Sequence, residues 1–162
     1  MESLAYLPNS KEIKNFFSDL LAKNITVTDA KVISYPFNEK ILIGSLVDST
    51  SGEIKVLLLC DLAFACFGGA ALAMIPAGVA KENIKENEIT ASMLENIKEI
   101  VNIASSLCNK PDFPHLRLKE VFGSDSLPEH FTALLAKKPV KTYDVEIEIA
   151  SYGKGKFSFL SY

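Results

Sequence analysis

The chain has 162 residues, a net charge of −3, 48% hydrophobic and 23% charged residues, values expected of one globular domain covering residues 1–162. Lysine supplies nearly all the positive charge, Arg117 being the sole arginine, and no basic stripe with interleaved aromatics occurs. That excludes a nucleic-acid-binding reading, which relies on arginine forks and clustered positive charge.

In chain order, Ser10 reads as the N-cap of a first helix, with Ile13, Phe16, Phe17, Leu20 and Leu21 at helical spacing and Asn24 as its stop. Ile25–Tyr35 is rich in β-branched residues and predicts a strand. "KILIGSLVDS" and "EIKVLLLCD" predict a hairpin about "DSTSG". "VLLLC" is apolar at every position, which places that strand centrally in a sheet. Leu62–Ala80 carries no charge over 19 residues. Its Ala and Gly content, Pro76 and the lack of a preceding basic segment argue for a buried core helix over roughly Leu62–Ile75, not membrane insertion.

"AGVAKENIKENEIT" is expected as a connector with room for a helical turn of its own, leading to a long helix over about Thr90–Asn109 capped by Thr90. "LRLKEVFG", Leu116–Gly123, predicts a strand, and "LPEHFTALLAKK" a short helix with Pro128 near its first turn. "YDVEIEIA" alternates, with Val145, Ile147 and Ile149 inward and Glu146 and Glu148 outward. "KFSFLSY" is its hairpin partner, with "SYGKGK" supplying glycines for the reversal. The fold class is therefore α+β, an antiparallel sheet covered by helices. Each half leads with a helix and runs into strands, so an internal pseudo-repeat is suggested.

Cys60, Cys66 and Cys108 form no C-x-x-C pair and are expected as small buried hydrophobes, in keeping with a cytoplasmic location. With His115 and His130 they offer no metal-ligand pattern, and both histidines are expected to be structural or at the surface. The long helix is more informative. Met93, Ile97, Ile100, Ala104, Leu107 and Cys108 form an apolar side. Glu95, Glu99, Asn102, Ser106 and Asn109 form an opposite row at steps of three and four. Glu99 and Asn102 thus sit one turn apart on a rigid element. Any solvated helix face has the same look, and Glu-x-x-Asn occurs a second time at Glu12 and Asn15 on the first helix.

The stretch Asp61–Asn109, comprising "LAFACFGGAALAMIP", the acidic "AKENIKENEI" and "ASMLENIKEIVNIAS", resembles the CheC/CheX-like family of chemotaxis phosphatases, closest to the CheX-like branch. The resemblance implies a CheC/CheX-like fold and hydrolysis of the phospho-aspartate of a CheY-type response regulator. It implies that Glu99 pairs with a receiver lysine and Asn102 orients the attacking water. It implies no cofactor of the chain's own, magnesium coming from the receiver, and a homodimer, for which Lys156–Tyr162 is a candidate edge strand. Glu12 and Asn15 match a first-helix motif of two-site members and are secondary candidates. Two positions depart from the family pattern: Ser106 stands where Gly is usual, and Glu95 where Asp or Ser is common. The alternative is a non-catalytic CheC-like or flagellar-switch-like module that binds a response regulator or scaffold partner. The plainest alternative is an unrelated α+β domain with a chance Glu-x-x-Asn.

Overall fold

The computed structural model describes residues 4–162. In chain order these form α1 (Ser10–Leu21), β1 (Ile25–Asp29), β2 (Ile41–Asp48), β3 (Ile54–Asp61), α2 (Leu62–Leu72), α3 (Ala77–Lys85), α4 (Ala91–Ala104), β4 (Leu116–Gly123), α5 (Glu129–Leu135), β5 (Lys141–Ile149) and β6 (Gly153–Ser161), with single 3-10 turns at Ser105–Cys108 and Ser124–Ser126. The strands make one antiparallel sheet in the order β1-β5-β6-β3-β2-β4. The α+β expectation holds, and β3, the "VLLLC" strand, is interior as its two-faced apolarity requires.

The sheet buries both faces. On one, Val56, Leu58, Cys60, Val145, Ile147, Phe157 and Phe159 pack against α1, α2 and α4. There Phe17, Phe64 and Phe157 meet edge to face at centroid distances of 5.2–5.9 Å, tying α1 and α2 to β6. On the other face Ile41, Ile43, Leu57, Leu59 and Leu160 pack under Phe131 and Leu135 of α5 and under Ile33.

The strand order is unchanged when β1, β2 and β3 are exchanged for β4, β5 and β6 and the list is read backwards. The sheet therefore has a pseudo-two-fold axis between β3 and β6, near the pair Leu58–Phe159. It relates α1, which leads into β1, to α4, which leads into β4. That gives the suggested pseudo-repeat a topological basis.

Several expectations are corrected. The N-cap of α1 is Asn9, not Ser10: Asn9 Oδ1 accepts from the Glu12 amide at 2.9 Å and Glu12 Oε1 from the Asn9 amide at 3.2 Å, a reciprocal capping box. The helix stops at Leu21, with Ala22 left-handed, before Asn24. β1 ends at Asp29, not Tyr35. β1 is first in the sheet and β2 fifth, so the chain must cross four strand spacings of about 4.8 Å, and residues 30–40 make that crossing. The apolar run from Leu62 breaks at Ala73–Pro76, and the connector beyond it is a nine-residue helix, α3. α2 is apolar all round because sheet, α1, α3 and α4 enclose it; no helix among the described residues is long and apolar enough to cross a membrane. The long helix is α-helical only to Ala104 and tightens into the 3-10 turn beyond. β6 begins at Gly153, so the β5–β6 reversal falls on Ala150–Tyr152, with Ser151 at φ 71°, and not on the glycines. Finally, β6 lies between β5 and β3, so Lys156–Tyr162 is no free edge; the edges are β1 and β4.

All three cysteines are buried. Burial pushes the Cys66 thiol up to about 11 and Cys108 up to about 12, with Cys60 also raised. Because the thiolate is the nucleophile, a disulfide reagent at pH 8 is expected to label the native chain at least about 100-fold more slowly than the chain in denaturant. A thiol titrating at the denatured rate would contradict that burial.

Candidate functional site

α4 is set against the rest of the molecule by two glycines. A Cβ on Gly44 of β2 would lie 2.7 Å from Val101 Cγ1, and one on Gly69 of α2 would lie 2.6 Å from the Met93 carbonyl oxygen. Asn96 Nδ2 donates to the Gly69 carbonyl at 2.9 Å, a tie between the two helices. Met93, Ile97, Ile100, Val101 and Ala104 fill the inner side. Packing on this scale fixes both the rotation of the helix and the face it turns to solvent.

That face carries Glu95, Glu99 and Asn102, all exposed, followed by exposed Ser106 on the 3-10 turn. The fifth residue of the predicted row does not belong to it. Asn109 is half-buried, and its amide pairs with the Leu116 backbone, donating to the carbonyl at 3.1 Å and accepting from the N–H at 2.8 Å. It anchors the entry to β4. Near the end of α4 the Ser105 hydroxyl donates to the Asn102 carbonyl at 2.6 Å. The unsatisfied carbonyls of a helix C-terminus add partial negative charge there.

The resulting surface presents a carboxylate and an amide one turn apart on a fixed scaffold, both open to solvent. Groups so placed are able to act on a group that a partner brings to them. An amide both donates and accepts and so can orient a water; a carboxylate beside a helix C-terminus favours a cation.

The other Glu-x-x-Asn lies at the pseudo-equivalent place. A shift that lays Ile13, Phe17 and Leu21 on Ile100, Ala104 and Cys108, all buried, also lays Glu12 on Glu99 and Asn15 on Asn102. The two motifs then differ in what holds the carboxylate. Asn15 is exposed, but Glu12 is engaged: it closes the capping box, accepts from the Tyr6 hydroxyl and pairs with Lys110 Nζ at 2.8 Å. The ammonium also sits 5.5 Å from the Tyr6 ring centroid, and Phe113 packs edge-on against that ring. Glu12 therefore clamps the segment before α1 to the loop after α4. Sequence reasoning missed Tyr6 and Lys110; the Asn-x-x-Glu spacing at Asn9 and Glu12 was the readable sign that this glutamate caps a helix.

Burial alone would raise the Glu12 carboxyl, but Lys110, the Tyr6 hydroxyl and the Asn9 amide outweigh it and hold it below its ordinary value of 4.5. A depressed carboxylate stabilises the fold fully above its unfolded value and loses that contribution as pH falls through the folded value. The unfolding free-energy difference between the native chain and Glu12→Gln is thus expected to be steady at neutral pH and to shrink below about pH 4.5. A difference that grows on acidification would contradict the clamp.

The histidines stand apart from α4. His115 Nδ1 is 2.7 Å from Ser49 Oγ at the β2–β3 hairpin, and His130 is exposed on α5 against Phe131. Glu148 is exposed and Glu146 half-buried on the outward side of β5. Among the described residues, no three His, Cys, Asp or Glu side chains are grouped as for a metal ion.

No family model matches the sequence, and no curated protein matches it. Solved structures do. The middle domain of FliM from Vibrio alginolyticus superposes with a TM-score of 0.60 at 9% identity, covering 94% of this chain and 88% of that one. The CheX–CheY complex from Borrelia burgdorferi gives 0.49 at 11% identity, covering 93% and 92%. FliY from Thermotoga maritima gives 0.47 at 12% identity, covering 93% and 82%. The first shows a shared fold; the other two superpose too loosely to argue from.

Proposed function

We propose that the chain acts on the phosphorylated receiver domain of a CheY-type response regulator through the outer face of α4, hydrolysing its phospho-aspartate. One observation carries the reading: Glu99 and Asn102 stand exposed, one turn apart, on a helix locked in place by Gly44 and Gly69. The family resemblance of Asp61–Asn109 supports it, and the fold shared with the FliM middle domain is compatible with it. An acyl phosphate is already activated, so the reaction asks mainly for a positioned water. Glu99 docks against a receiver lysine. Asn102 then enters the receiver's site and holds the water in line with phosphorus. Magnesium belongs to the receiver in this scheme.

Ser106 favours a second reading. It places a side chain at the exposed turn where the resemblance expects glycine, and glycine there would let a partner's backbone approach closely. A module that binds a receiver without hydrolysing its phosphate would keep the same face. The test is the decay of a phosphorylated receiver domain from the same genome with and without this chain, alongside a binding measurement. Faster decay supports the phosphatase. Binding with unchanged decay supports the second reading, and neither effect on any receiver removes both. The homodimer implied by the resemblance is tested by solution mass, with β1 and β4 as the strands open to pairing.

A further inference from the structure

We infer that the cleft where β2 begins and β4 ends, beneath α4, binds a small amphipathic anion: an apolar body of about ten heavy atoms bearing a carboxylate. The cleft has a volume of about 370 Å³, within the range of small-molecule sites. At roughly 30 Å³ per water-sized group, it admits a body of that size. Its walls are Leu42, Leu62, Ile89, Leu94, Val121 and Phe122.

Gly123 lies in the lining. It is paired with Leu42 across β2 and β4, and a Cβ built there would meet nothing within 4 Å, so no side chain from this position occupies the cleft.

The rim says what the head group is. Lys40 and Lys98 border the cleft with a single carboxylate, Asp125, which lies 4.0 Å from Lys40. The ion pairs among the described residues leave Lys98 unused. Ser124 Oγ accepts from the Ile41 amide at 3.0 Å, so its hydroxyl hydrogen remains to donate. With Lys40 paired to Asp125, the rim offers a ligand the unpaired Lys98 ammonium and the Ser124 hydroxyl, which favour a negative head over a neutral or positive one. This site is independent of the phosphatase reading, since it uses neither Glu99 nor Asn102.

The test is titration of the isotopically labelled chain with octanoate, octanol and octylamine, which share one apolar body. Octanoate is expected to give saturable shifts centred on Leu42, Leu94 and Val121. Octanol should bind about tenfold more weakly, as loss of a charge-assisted contact requires, and octylamine more weakly still. Lys98→Gln combined with Lys40→Gln should erase the octanoate advantage. Gly123→Leu, whose Cβ would meet nothing within 4 Å, puts an apolar side chain at the lining and should abolish binding while leaving the unfolding midpoint in place. The inference is overturned by absence of saturable octanoate binding, by equal affinity for the three head groups, or by full binding in folded Gly123→Leu.

Discussion

Asn102→Ala should leave the chain folded and able to bind a phosphorylated receiver, yet slow its dephosphorylation on the order of 100-fold or more, the usual cost of removing one positioned hydrogen-bonding group from a transition state. The side chain is exposed and contributes nothing to the inner face of α4, so surface truncation should cost at most about 0.5 kcal/mol of stability. Glu99→Ala should act differently. Its proposed partner is an ammonium at a solvent-exposed rim, where charge governs encounter and register more than affinity. The rate at saturating receiver should fall less than in Asn102→Ala, and the half-saturating concentration should rise and lose its salt dependence. Equal and complete loss in both variants would instead mean that the two side chains work as one unit, and undiminished decay in Asn102→Ala would remove the proposed chemistry. Glu12→Ala is the internal comparison. Because that carboxylate is spent on a cap and an ion pair, the change should lower stability and leave dephosphorylation intact.

The largest effect on the fold is expected from Gly155→Ala. Gly155 is buried in β6 beneath the first turn of α2, and a Cβ there would lie 2.3–2.4 Å from the backbone N, Cα and Cβ of Phe64. No rotamer relieves a clash with backbone. Either α2 lifts from the sheet or β6 bends, and both disturb the Phe17, Phe64 and Phe157 cluster. Overpacking of a well-packed core costs about 1–3 kcal/mol and more where backbone is involved, so a loss of at least about 3 kcal/mol in denaturant unfolding is expected. Gly78→Ala is the control. It lies in α3 with nothing within 4 Å of an added Cβ, and replacing a helical glycine with alanine should be neutral or stabilising by up to about 1 kcal/mol. Equal effects at the two positions would contradict the close approach of α2 to β6.

Both predictions rest on contacts of different legibility. The α4 face could be read directly, since a 3.6-residue period assigns Glu95, Glu99, Asn102 and Ser106 to one side and Ile97, Ile100 and Ala104 to the other without reference to the rest of the chain. Asn109 broke the pattern because the last turn tightens to 3-10 geometry, which rotates later residues off the row. The roles of Glu12 and Gly155 were hidden for another reason. Lys110 is 98 residues from Glu12 and Phe64 is 91 from Gly155, and no local pattern reports such neighbours.

Local periodicity by itself determined α1, α2, α4 and α5, the pairing of β2 with β3 and of β5 with β6, the buried character of Leu62–Leu72 and the paired polar residues of α4, because each depends on spacing within one or two neighbouring elements. Tertiary structure decided the rest. It set where β1 must end, since that depends on how far the chain has to travel across the sheet. It placed β6 at the centre and left β1 and β4 as edges, since strand order is a property of the whole sheet. It also separated two identical Glu-x-x-Asn motifs, engaging Glu12 with Tyr6 and Lys110 and leaving Glu99 to solvent, because a carboxylate's availability is fixed by what the folded chain brings within hydrogen-bond reach.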